Sequence, residues 1–209
     1  MSAVPMLAGV GLMMVCCSSA SAAAMMMGGD GDDDKKKKDD SDSDSESDSD
    51  EDEPTLPSGQ YVKLVHTVAQ DNSAVGNVDD KNKILNLAEL EVFAKGGTTS
   101  LAAGKTVTGS SEHSSTHGYI NLVDGNMTNF AHTVGRTAEE IDYLQVDLGS
   151  VQEIEKIKIT NRTSCCQKRA IGVKAVILGA DGTTVIKETP AITTNAATYT
   201  FTFPGTAWA

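Results

Sequence analysis

The chain has 209 residues and a formal net charge of −12. That charge is concentrated: Asp30 to Glu53 holds fourteen acids against the four lysines Lys35 to Lys38, and the remainder is close to neutral. The acidity belongs to one stretch and not to the folded part, which argues against nucleic acid as a partner.

Ala3 to Met27 contains no charged residue. As a helix it would be about 37 Å long, enough to cross a hydrocarbon core of about 30 Å. Its first half, Met6 to Cys17, is strongly apolar. Ser18 to Ala24 is small and only weakly hydrophobic, and Ala20-Ser21-Ala22 resembles a signal-peptidase site. No basic residue precedes the apolar run, so the reading here is an uncleaved signal-anchor over residues 1–29, with a cleaved secretory leader as the alternative.

Residues 30–60 come next, built around the alternating Ser-Asp run Ser41 to Asp50. Apolar residues are nearly absent and like charges repel, so a disordered, extended tether is expected. Lys35 to Lys38 favours a cytoplasmic position for the chain downstream of it; a disulfide further on would favour the exterior, and the exterior is preferred here.

Residues 61–209 read as short strands between turn signals. Tyr61 to Val65 and Ala88 to Phe93 alternate apolar and polar positions. Tyr143 to Leu148 and Ile154 to Thr160 do the same, and Val173 to Leu178 is a continuous apolar run. A turn begins at Asp181-Gly182, and Tyr199, Phe201 and Phe203 alternate with threonines. Val, Ile and Thr are abundant, and no long amphipathic helix is visible. The predicted fold class is therefore all-β, a β-sandwich.

The four cysteines are two adjacent pairs, Cys16-Cys17 and Cys165-Cys166, with no zinc-type spacing. Adjacent Cα atoms lie about 3.8 Å apart, closer than the range of about 4.4–6.8 Å that ordinary disulfides span. From the residues alone, Cys165-Cys166 is either a strained vicinal disulfide or two thiols in a tight turn. His66, His113 and His117 show no pairing that suggests catalysis. No nucleophile elbow or phosphate loop is present, so an enzyme is not expected. Two sequons, Asn126-Met127-Thr128 and Asn161-Arg162-Thr163, are potential glycosylation sites.

The series Asn121-Leu122-Val123-Asp124-Gly125-Asn126, then Phe130-Ala131-His132-Thr133, then Leu144 to Gly149, then Asn161-Arg162 through Arg169 resembles the F-type lectins (fucolectins). These lie within the discoidin, or coagulation-factor type C, galactose-binding-like superfamily. The resemblance covers Tyr61 to Pro204 and implies a galactose-binding-like jelly roll. It departs in order: segments like Tyr61-Val62-Lys63-Leu64 and Leu85 to Val92 usually close such a domain, whereas here they come first. A shifted or circularly permuted unit is implied, which termini lying close together tolerate.

Carried over by resemblance, a sugar would be held by His132, Arg162 and Arg169, with Cys165 and Cys166 as a bonded sulfur platform. Imidazole and guanidinium groups suit hydroxyl-rich ligands. The acid expected between Arg162 and the cysteines is Ser164 here, which takes from Arg162 a carboxylate that would brace it. The resemblance also implies calcium at Asn121, Asp124, Asn126, the backbone near Asn129 and Glu89, a set of oxygen donors of the type calcium takes. From the residues alone, Asp124-Gly125-Asn126 is equally a plain tight turn.

The function expected is a membrane-tethered or surface carbohydrate-binding module, taking glycans or glycoproteins with fucose as one candidate. In layout the chain resembles virion surface or membrane proteins of large DNA viruses. The alternative is a structural virion or coat/matrix protein that packs through its sandwich.

Overall fold

In the computed structural model of the protein, residues 55–66, 84–134 and 141–209 are described. The apolar segment Ala3 to Met27, the acidic run Asp30 to Glu53 and most of the stretch between Val134 and Asp142 lie outside them. Among the described residues no helix is long and apolar enough to cross a membrane.

Among the described residues, nine strands form two antiparallel sheets. They are β1 (Ser58–His66), β2 (Asn86–Phe93), β3 (Thr106–Gly109), β4 (Ala131–His132), β5 (Tyr143–Glu153), β6 (Lys156–Asn161), β7 (Val173–Leu178), β8 (Val185–Glu188) and β9 (Thr198–Thr202). One sheet has the order β3-β5-β1-β7-β8 and the other β4-β2-β6-β9. The remaining regular structure is short 3₁₀ turns. The all-β sandwich expected from the strand pattern is the fold observed.

The strands predicted from alternation form the centres of both sheets. Val62 and Leu64 of β1, Leu144 and Val146 of β5 and Ile177 of β7 share one buried cluster with Leu90 and Val92 of β2, Ile157 and Ile159 of β6 and Phe201 of β9. Period-2 spacing puts these residues on one face of each strand. Burying a side chain of this size contributes about 1.5–3 kcal/mol, so this interlayer cluster is the main source of stability. The short elements β3, β4 and β8 were not predicted. All four residues of β8 are exposed, and β3 has no buried residue, so neither carries the buried alternation that a sequence reading detects.

The early strands complete the domain from within. β1 pairs with both β5 and β7, and β2 pairs with both β4 and β6. Segments that the resemblance places at the end of such a domain therefore fill the middle of each sheet from the beginning of this one.

β2 departs from simple alternation. A register shift between Leu87 and Glu89 turns the strand so that seven of its eight residues are buried. Glu89 is among them, at 3 % exposure, because the turn around Gly125 covers it. At the opposite edge, Thr200 and Ala209 exchange backbone hydrogen bonds of 2.8 Å in both directions, which protects β9 from pairing outward. Trp208 packs edge-on against Phe201 and donates from Nε1 to the Pro190 carbonyl at 2.7 Å.

At Gly59, β1 leaves no room for a side chain against β7. A Cβ there would lie 2.4 Å from Ile177 Cγ2 and 2.6 Å from the Leu178 carbonyl oxygen. Backbone cannot yield as a side chain can. Gly59→Ala is expected to destabilise the domain by about 1–3 kcal/mol, measured as an earlier midpoint in thermal or urea unfolding.

Candidate functional site

β2 places the candidate residues. Its first residue, Asn86, pairs with His132 on β4, while Leu87 pairs with Asn161, the last residue of β6. The loop Arg162 to Arg169 leaves β6 at that point, so His132 and both arginines are delivered to the same end of the sandwich. Asn161 anchors the loop from below. It is 1 % exposed, and its Nδ2, with two protons to give, lies within hydrogen-bond reach of the Gln167 carbonyl, the Ala196 carbonyl and the Tyr199 hydroxyl at 3.0, 2.9 and 3.2 Å. An amide engaged in this way cannot carry a glycan in the folded domain, so of the two sequons only exposed Asn126 remains accessible.

Cys165 and Cys166 are bonded to each other, and Cys166 has φ 65°, a left-handed conformation that non-glycine residues rarely adopt. The chain then enters the turn Gln167–Ala170. That turn brings Arg169 inward to 9 % exposure with Nη1 3.4 Å from His132 Nε2. The Arg169 carbonyl accepts from His66 Nε2 at 3.0 Å, which gives that buried histidine a structural role.

His132 Nδ1 lies 2.5 Å from the Thr133 carbonyl and so carries the proton, leaving Nε2 as the acceptor. Burial pushes its pKa down to about 4; the Thr133 carbonyl opposes this, while His113, Arg169 and Arg162 add to it. The ring is therefore neutral at pH 7. Arg162 is half-buried. Burial, with the Arg169 charge beside it, holds its pKa below the usual value.

Ser164 does not leave Arg162 unbraced. Its hydroxyl accepts from Arg162 Nε at 2.8 Å. The guanidinium carbon also sits 3.9 Å from the Phe130 ring centre, and the His117 ring stacks on Phe130 at 4.2 Å. Two groups this close to one centre occupy opposite faces, so Phe130 lies sandwiched between imidazole and guanidinium. The expectation that loss of the acid unfastens Arg162 is thus corrected: a neutral hydroxyl and an aromatic face hold it instead.

Sequence reasoning missed Phe130, His113 and His117 as site residues. His113 lies 4.7 Å from His132, ring to ring. Phe130 had a usable signal, because it stands two residues before His132 and residues at that spacing share a face in extended chain. The other two histidines had none, since only the tertiary fold brings them in. Asn86 was also missed: it is 1 % exposed, and both amide atoms are buried beside His132 with no partner among the described residues.

The second set of oxygen donors gathers at the turn above β2. Both Glu89 oxygens lie 3.2 Å from the Gly125 N–H, which donates to them. Asp124 Oδ1 accepts from the Asn126 N–H at 2.9 Å, and its Oδ2 accepts from Asn129 Nδ2 at 2.6 Å. Asn126 Oδ1 is engaged by Thr128, and Asn121 Nδ2 donates to the carbonyls of Thr116 and Phe130. Asn129 Oδ1 is buried with no partner among the described residues.

Burial pushes the Glu89 carboxyl up to about 7; the Gly125 N–H opposes this, and Asp124 and Glu91 reinforce it. Two mutually repelling carboxylates beside an orphaned acceptor fit a hard cation. Among the described residues no three His, Cys, Asp or Glu side chains converge as metal ligands. An ion here would therefore rest on two carboxylates supplemented by amide and backbone oxygens.

Fold and site together define a β-sandwich whose candidate ligand groups come from strands β2 and β4 and from the loops beside them. Residues 121–208 match the family described as the NedA-like, galactose-binding domain. That family is part of the discoidin-like, coagulation-factor type C group of galactose-binding-like domains, and the likeness points, at that coarse level, to carbohydrate binding. No curated protein and no solved structure matches the chain.

The raised Glu89 pKa fixes a pH dependence. Between the ordinary carboxyl value of about 4.3 and about 7, the folded state binds more protons than the unfolded one. Stability therefore falls as pH rises through this window. Without added divalent cations, melting should occur at lower temperature at pH 8 than at pH 5, and Glu89→Gln should remove most of the difference.

Proposed function

We propose that the protein is a non-enzymatic, calcium-assisted carbohydrate-binding module, held at a surface by its acidic stretch and apolar leader. The observation that carries this reading is the convergence of neutral His132 with Arg162 and Arg169 beside the bonded cysteines. His132 Nε2 accepts, the guanidinium forks donate, and the sulfur pair and Phe130 give apolar surface for a sugar's C–H face. This is a binding chemistry. Nothing in the set pairs a nucleophile with a base, and the buried histidine is held as an acceptor.

Calcium would act on the neighbouring turn. With Glu89, Asp124 and the orphaned Asn129 Oδ1 as ligands, together with oxygens of Asn121 and Asn126, it would neutralise the two carboxylates and fix the segment leading to Phe130 and His132. Asn121 already ties that segment by bonding the Phe130 carbonyl, so the two centres are mechanically joined. Fucose, terminal or within a glycoprotein, is the first sugar to test, and a membrane or virion exterior is the proposed setting.

A structural coat or matrix role is the second reading. Supporting it is the outer face of the five-stranded sheet, where a groove of about 580 Å³ is lined by Val65, Ile141, Tyr143, Val176 and Val185 among others. Ile141 and Val185 there are more than half exposed. Such a face suits packing against another protein.

A ligand that binds only the folded state stabilises it by about 2.7 kcal/mol at a hundredfold excess over Kd. Calcium should therefore raise the melting temperature by several degrees over a chelated sample, and Asp124→Ala should abolish the rise. Identical melting curves would remove calcium from the account. On a glycan array, Arg169→Ala should weaken binding roughly tenfold or more, given about 1.5–3 kcal/mol for a charged hydrogen bond. Absence of all sugar binding by the parent chain, with and without calcium, would leave the structural role in its place.

A further inference from the structure

Arg162 faces two ways. On one side it belongs to the His132 cluster; on the other it borders a shallow hollow of about 400 Å³ lined by Asn161, Arg162, Thr163, Gln167 and Asn195 with Ala196 and Ala197. No acidic side chain lines this hollow among the described residues. The loop from Arg162 to Arg169 contains three bases and no acid. Asn161 spends its amide nitrogen on the fold, which leaves Thr163, Gln167 and exposed Asn195 as the polar groups at the rim.

The guanidinium is already fixed in place. Its Nε donates to Ser164 and its face rests on Phe130, while its two terminal nitrogens make no hydrogen bond or ion pair among the described residues. A fork held in this way is pre-ordered for a planar or tetrahedral oxyanion, because the entropy of fixing it is spent before binding. Charge points the same way. Arg162 and Arg169 repel each other across a half-buried site, and the groups that hold Arg162 are neutral. Among the described residues, exposed Glu112, near Gly118, and buried Asp142, engaged by Ser110, Ser111 and Thr133, are acids on the histidine side. A neutral hydroxyl would bond the fork without relieving the repulsion, whereas an anion does both.

We infer that the glycan taken here carries an anionic substituent, a sulfate ester or a uronate carboxylate, seated on the Arg162 fork at the mouth of this hollow. Thr163, Gln167 and Asn195 bond the sugar that bears it. This rests on the carbohydrate-binding reading and narrows it to acidic glycans.

The test uses the full chain and three probes: a sulfated galactan oligosaccharide, its desulfated counterpart, and an oligogalacturonate. All are titrated at about 0.15 M salt, where surface charges are screened beyond about 8 Å. At least one charged probe should bind roughly tenfold tighter than the neutral one, about 1.4 kcal/mol, and which one does so identifies the anion. Arg162→Gln should abolish the preference. Arg162→Lys, which keeps the charge and loses the fork, should reduce it at least about fivefold, and Asn195→Ala should weaken the charged probe in the parent background. Equal affinity for charged and neutral probes overturns the inference while leaving carbohydrate binding intact. A preference that survives both Arg162 variants also overturns it, because diffuse charge would then suffice. Failure of all three probes overturns this inference and leaves the carbohydrate reading to the glycan array, which a fucose-bearing glycan can still satisfy.

Discussion

Strand β2 is the shared partner on which both candidate centres depend. On one side it is bonded to β4, which carries His132; on the other it is bonded to β6, which ends at Asn161 and launches the arginine loop. Its bulge turns Glu89 outward beneath Gly125, so the same strand floors the acidic turn. A one-residue slip in a strand exchanges its two faces, and here it would expel Leu90 and Val92 from the core. The hydrophobic core thus sets the register of the site. That is how loops that contact each other only at the surface are held to hydrogen-bond distances.

The two centres differ in sign and lie on neighbouring segments of the chain. One gathers cationic and neutral donors around His132; the other gathers carboxylates around Gly125. Between them run Asn121, which bonds the Phe130 carbonyl, and Phe130 itself, 8 % exposed between His117 and Arg162. The aromatic ring that supports a guanidinium thus has its backbone tied to the residue that precedes the acidic turn. Burial drives both sets of protonation states, lowering the affinity of His132 for a proton and raising that of Glu89.

Much of the fold was legible because its central strands bury one face. Val62 and Leu64, Ile157 and Ile159, and Tyr199 and Phe201 alternate in sequence and are buried in the sandwich. The edge strands were not legible: β8 buries nothing and β4 is two residues long. For the site, the motif residues His132, Arg162 and Arg169 do come together, and Cys165 is bonded to Cys166. What the residues could not reveal was their bracing. The role of Ser164 depends on loop geometry, the stack on Phe130 requires His117 from a separate turn, and the buried amide of Asn161 is invisible until Tyr199 and Ala196 close over it.

The cysteine bond spans a single peptide, and this has a consequence for when it must form. A cross-link stabilises a fold largely by shortening the loops open to the unfolded chain, and the effect grows with the number of residues enclosed. Here almost nothing is enclosed. The sandwich, with its two sheets and their shared interior, owes its stability to other interactions, and the bond acts only on the shape of one loop. Folding and oxidation are accordingly separable. The bond shapes the loop; it is not what holds the sandwich together.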